Sequence, residues 1–152
     1  MAPSHYFLAI GLTVAFSIGT VALHYEALRF ISSIHPRRWS GRANIGVLIC
    51  AIIAAHCLEG LLFGAGYWIG AEWLGLGHLT GAAGAGPLAY IYFGLETFTT
   101  QSLGDIFPTG PLRLLASVEP LVGLILIGWS TSFTFILMRR NWRERRDGGD
   151  ER

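Results

Sequence analysis

Three apolar stretches dominate this chain and fix most of what it can fold into. They run from about Tyr6 to Ile34, from Ile45 to Ile69 and from Leu114 to Met138. A helical bilayer crossing needs about 20 mostly apolar residues, and each stretch supplies them. Charge is sparse to match: 14% of residues are charged, against about 25% in an ordinary soluble domain. The charges gather at segment ends. This pattern excludes a disordered chain, a soluble single-core domain and a nucleic-acid-binding arm. A formal net charge of +1 implies no bulk attraction to an acidic partner.

Arginine placement predicts the direction of the spans. All 11 basic residues are arginine. Arg37, Arg38 and Arg42 lie between the first two stretches, and Arg139, Arg140, Arg143, Arg145 and Arg146 follow the third. The long connection from Gly70 to Arg113 holds only Arg113. The positive-inside bias then puts the first loop and the C-terminus in the cytoplasm, and the N-terminus and long connection outside. A multi-pass protein of the cell (inner) membrane is expected. The first stretch does not read as a signal peptide: Met1 to His5 has no basic residue, and the apolar run is too long. Cys50 and Cys57, seven residues apart on one helix, are too far apart to bridge and are expected to be small buried side chains.

The long connection carries most of the functional information. Gly70 to Pro87 is rich in glycine and alanine and reads as a flexible external loop. Leu88 to Phe98 is apolar and aromatic, but too short to span as a helix. Thr99 to Asp105 is polar and non-helical in character, and Pro108, Gly110 and Pro111 punctuate the return. Non-helical backbone at membrane depth survives only where protein buries it or water meets it. A half-helix followed by a Thr/Gly/Asp stretch fits a re-entrant pore loop, whose carbonyl and hydroxyl oxygens replace a cation's hydration shell. Composition alone equally allows an external segment resting on the membrane surface.

The run Tyr92 to Pro108, YFGLETFTTQSLGDIFP, resembles the pore region of the potassium-channel superfamily. That family has an aromatic-containing pore helix, T-x-T-T, a V-G-Y-G-D filter and a following proline. Thr97, Thr99, Thr100, Gly104, Asp105 and Pro108 match. The whole chain is similar to small bacterial ion-channel proteins with one helix added before the outer helix, pore loop and inner helix. The resemblance implies an all-α membrane protein with three transmembrane helices plus a re-entrant pore helix and filter loop per subunit, assembled as a homotetramer. It divides the chain into an added helix and loop (1–42), a pore module (43–138) and an arginine-rich tail (139–152). The filter it implies is Thr99, Thr100, Gln101, Ser102, Leu103, Gly104 and Asp105, supported by Glu96 and Thr97.

The departures shape the functional expectation. Gln101 stands where the family has valine or isoleucine, Ser102 replaces the first glycine and Leu103 replaces the tyrosine. That glycine adopts a backbone conformation costly for a residue with a Cβ. Ser102 is therefore expected to be strained, or the filter is built differently. The expectation is a passive monovalent cation channel, for potassium with weakened selectivity over sodium, needing no cofactor and no resident metal. The alternative is a non-conducting scaffold or regulatory subunit with a collapsed filter. In some family members a pair placed like Glu96 and Asp105 shares a proton behind the filter. The other reading makes Asp105 a solvated acid and Glu96 a packing residue. Four copies of Asp105 would ring the outer mouth with negative charge, which favours cations.

In the third stretch, Gly123, Ile127, Thr131 and Phe135 recur at i, i+4 and share one face, the candidate cavity lining or gate. Gly128 and Ser132 form a competing stripe, and Gly123 is alternatively a packing glycine. Glu119 is expected to support the filter or meet Arg113. His56 and Glu59 share a face of the second stretch, and His24, Glu26 and Arg29 lie toward the inner end of the first. Pairing between the two helices is the expectation for these groups. A metal site would want about four ligands, and no repeated Glu-x-x-His or His-rich set appears. An enzyme built on His24, Glu26, His56 and Glu59 is the weakest reading. Tyr67, Trp68 and Trp73 outside, and Trp39 and Trp142 inside, read as interfacial anchors. No regular arginine series marks a voltage sensor. The 14 residues after Met138 are too few and too polar to be expected to form a ligand-sensing domain.

Overall fold

The structure, a computed structural model, describes residues 3–33, 41–81 and 86–147; side chains at 41, 42, 44 and from 140 onward lie outside that description. Arg37, Arg38 and Trp39 of the first loop are likewise outside it.

Helix α1 spans Pro3–Ser33 and helix α2 spans Gly41–Trp68. Helix α2 widens at its outer end into a single π-type turn, Ile69–Trp73, closed by Leu74 N–H donating to the Ile69 carbonyl at 3.1 Å. The short helix α3, Pro87–Phe98, begins with proline at its first turn, where a missing N–H costs nothing. A single turn at Gly110–Leu112 leads into helix α4, Arg113–Asp147, which carries Pro120 without breaking. Among the described residues, three stretches are long and apolar enough to cross a membrane: Pro3–Ser33, Ile45–Trp73 and Gly110–Arg139. Helix α3, at about 1.5 Å per residue, covers only about half of a 30 Å hydrocarbon core.

The connection is more ordered than a flexible loop. Strand β1 (Leu79–Gly81) pairs antiparallel with β2 (Ile106–Pro108), setting Gly81 opposite Ile106. Gly81 has φ +141°, and a Cβ there would run into the Asp105 carbonyl, so only glycine allows the two segments to close. The ribbon thereby ties the connection after α2 to the chain leaving Asp105.

Packing follows membrane logic. Phe7, Ile18, Phe30, Ile53, Leu124 and Ile136 face outward, as suits lipid, while Thr20, His24, Glu59 and Glu119 turn inward. Phe63, Tyr67, Phe93, Phe98, Leu112 and Leu126 form the core around α3. A second cluster, Leu28, Ile31, Leu48 and Ile52, takes in Phe133 and Leu137 and binds α1, α2 and α4 together.

Helices α2 and α3 approach each other closely. A Cβ on Gly94 would lie 2.5 Å from the Gly60 carbonyl oxygen and 2.6 Å from the Gly64 nitrogen. Gly60 and Gly64, four apart, thus form a flat seat for the pore-side helix. The cysteines differ from expectation. Both are free, and both are exposed on α2 rather than buried, because the inward face of that helix is taken by Ala55, Glu59 and Phe63.

Candidate functional site

Helix α3 ends in a cluster of local hydrogen bonds that hands the chain to the polar stretch. The Thr99 hydroxyl donates to the Leu95 carbonyl at 2.9 Å, Thr100 N–H to Thr97 at 3.0 Å, and Gln101 N–H to Glu96 at 2.9 Å. From there the backbone alternates. Thr100 has φ +62°, Ser102 has φ +39° and Gly104 has φ +79°, while Gln101 and Leu103 stay at negative φ. Every second residue is therefore left-handed, two of them with a Cβ that disfavours it. Alternation of this kind gathers successive N–H groups on one side and leaves the carbonyls to the other.

Glu96 occupies the N–H side. Its side chain is 4% exposed, and Oε2 accepts the Leu103 N–H at 3.4 Å. Burial raises the Glu96 carboxyl above the ordinary carboxylate range; the Leu103 N–H opposes this, and the charge of Asp105 pushes the same way as burial. No direct Glu96–Asp105 hydrogen bond forms. The Tyr92 hydroxyl, one turn before Glu96, is pushed above its ordinary range by burial first and then by the nearby Asp105 and Glu96 carboxylates. Glu96 Oε1 and Asp105 Oδ1 are buried without a partner. Thr97 is buried beside Glu96, whereas Thr99 through Gly104 are exposed along the chain's open side.

Around this segment two side-chain contacts brace α3. Tyr90 donates to Glu72 at 2.7 Å; burial first, and then this acceptor, pushes its hydroxyl up to about 12. Tyr67 is fully buried, stacks edge-on to Phe93 with ring centroids 4.8 Å apart, and donates to Glu119. Tyr67 is thus not an interfacial anchor, and Glu119 meets neither the filter nor Arg113, which is exposed. Trp68 and Trp73 are exposed and pack on each other at 5.3 Å, as outer anchors do.

Gly123 separates from its expected stripe. It is buried, and a Cβ there would run into the Phe98 carbonyl, so it seats the end of α3 on α4. Ile127 is half-buried, and Thr131 and Phe135 are exposed, as are Gly128 and Ser132. Both stripes of α4 remain open, and Arg139 reaches back over the Phe135 ring at 5.8 Å.

The polar groups of the first two spans meet. Glu59 is fully buried and accepts from His24 Nδ1 and from His56 Nδ1, each at 2.8 Å. His24 and Glu59 pair between helices, as expected; Glu26 instead pairs with Arg29 on the exposed face of α1 at 3.2 Å. Sequence reasoning missed the glycine seat and the Tyr67–Glu119 brace. Only the first carried a readable signal, the four-residue spacing of Gly60 and Gly64.

An all-α multi-pass membrane protein, with two long helices flanking a short one that enters and returns, is the class these features define. Residues 45–140 match the family described as Ion channel, a two-helix module of potassium-channel type, and the chain belongs to that family. No curated protein and no solved structure matches the chain. The protein is therefore an ion channel in the general sense, and the helix α1 lies outside the matched region.

Proposed function

We propose that four copies surround a central pore and conduct monovalent cations passively, potassium with weak discrimination against sodium. The observation that carries this reading is the alternation of left-handed backbone at Thr100, Ser102 and Gly104 on an uncovered side of the chain. Such a strand presents carbonyl oxygens in a row, and four rows facing one axis would replace a cation's water. One copy cannot enclose a hole, and closed cyclic symmetry supplies the others. Asp105 adds a ring of negative charge at the outer mouth.

Weak selectivity follows from the side chains. Leu103, 66% exposed in the single chain, cannot make the hydrogen bonds of a tyrosine cuff. Ser102 holds a conformation that glycine would hold at lower cost. The cage is less firmly sized, so it discriminates less between ions of similar charge. The N-terminus is assigned to the outside and the tail to the cytoplasmic side of the cell membrane by the arginine bias. Ile127, Thr131 and Phe135 remain the candidate cavity lining.

Reconstitution into liposomes tests this. Potassium and sodium gradients should each drive flux, with potassium ahead by less than about tenfold, a differential of about 1.4 kcal/mol. A particle mass corresponding to four chains is expected. Tight sealing to both ions would instead favour the non-conducting scaffold, and chloride flux would refute the cation reading.

A further inference from the structure

We propose that His24, His56 and Glu59 form a membrane-buried binding site for a divalent transition-metal ion of the zinc class. The ligand atoms of these three side chains all lie within 4.8 Å of one another. Two imidazoles and one carboxylate, with a fourth position left to water, is a donor set that zinc accepts readily. The ligands come from two helices: His24 from α1, and His56 and Glu59 from consecutive turns of α2.

Charge gives the site its appetite. The Glu59 carboxylate, held by a ring nitrogen of each histidine at 2.8 Å, puts acidic oxygens at the middle of the second span. An isolated charge there is costly, and Arg29, the basic residue of α1, is engaged by Glu26. A divalent ion inverts that charge and replaces two hydrogen bonds by three coordinate bonds. Each neutral ring shifts its proton from Nδ1 to Nε2, so no proton is gained or lost.

The surroundings suit this exchange. His24 Nε2 is buried and has no partner, and the Trp129 ring lies 5.3 Å from the imidazole, where it can receive the shifted N–H on its face. Thr20, one turn before His24 on the same face, is fully buried with an unpartnered hydroxyl. His56 is 16% exposed and lines a groove of ≈ 440 Å³ with Ile127, Ser130 and Thr131, which offers a way in and room for the fourth ligand. Occupancy would be felt by α3, because the His56 ring also packs at a tilt against Phe98, the last residue of α3, with centroids 5.9 Å apart.

The test uses the full-length untagged protein in lipid nanodiscs, stripped with chelator and dialysed against zinc. Elemental analysis should find one zinc per chain. Glu59→Gln and His56→Asn should each weaken binding at least about 100-fold, since even outer partners of a metal ligand are worth about 10–100-fold. His78→Asn, in the exposed outer connection, should bind like wild type. If Glu59→Gln fails to assemble, His56→Asn at the groove edge carries the same expectation. Equal zinc retention by wild type and His56→Asn, or none by wild type, would overturn the site and leave the cluster as an interhelical tie. The readout is bound metal, so its failure and a failure of ion flux are separate results.

Discussion

Gly94→Ala is the substitution most sensitive to how the pore-side helix is seated. The new methyl would lie 2.5 Å from the Gly60 carbonyl oxygen and 2.6 Å from the Gly64 nitrogen, about 0.9 Å short of the 3.4 Å at which ordinary contact begins. Both neighbours are backbone, so no rotamer change relieves the clash; α2 and α3 must part. Overpacking of this kind costs about 1–3 kcal/mol, and the rigid neighbours argue for the upper end. Alanine regains about 1 kcal/mol of helix propensity. The net loss is about 2 kcal/mol per chain, or about 30-fold in the folded ratio. Because Gln101 N–H hangs from Glu96 on the displaced helix, the same shift moves the backbone at Gln101. Thermal unfolding in detergent and liposome flux, measured side by side, read both effects. Gly11→Ala is the control: nothing in the chain lies within 4 Å of its added methyl, and stability should hold or rise. A Gly94→Ala protein as stable and as conductive as Gly11→Ala would refute the glycine seat.

Ser102→Gly should relieve a left-handed serine, raising stability by about 1 kcal/mol per chain and sharpening potassium-over-sodium discrimination in flux assays. Glu96 has a folded-state pKa raised by burial, so its stabilising effect is complete below the unfolded pKa and fades as pH rises through the folded one. Wild type should therefore lose stability relative to Glu96→Gln as pH climbs above the ordinary glutamate range, and parallel melting curves across that window would contradict the assignment. Tyr67→Phe strips Glu119 of its donor inside the core and should cost about 1–3 kcal/mol, read by thermal unfolding. Glu119→Gln keeps an acceptor for the tyrosine and should be milder; the reverse order would show that Tyr67 is not the partner that matters.

What the sequence made legible was whatever depends on neighbours along the chain. Apolar run length marks the three spans, and the shortness of 88–98 marks a helix that cannot cross, because both are properties of contiguous residues. The ribbon was invisible: each strand has three residues, and Gly81 meets Ile106 across the whole of α3. Tyr67 sits beside Trp68 and looks alike in sequence, yet one turns to Phe93 and the other to lipid, and only the seating of α3 on α2 decides which. Glu119 finds its partner 52 residues away and Glu59 meets His24 35 residues away. Polar residues in apolar helices announce that a partner exists without saying which.

The filter segment shows the same division within six residues. Local preference argues against left-handed backbone at Thr100 and Ser102, where the chain nevertheless adopts it. The structure supplies the opposing pull from behind: Thr100 and Gln101 N–H groups are held by carbonyls of α3, and Leu103 N–H is drawn toward the Glu96 carboxylate. Holding the N–H groups of residues 100, 101 and 103 against one anchored wall favours carbonyls turned to the other side. The glycine and tyrosine of the family pattern ease that arrangement but do not create it; the end of α3 does. It follows that Glu96 and the glycine seat beneath α3, rather than Gln101, Ser102 and Leu103, should govern whether the segment keeps its shape; under the proposed function, those three side chains would set how finely ions are sorted.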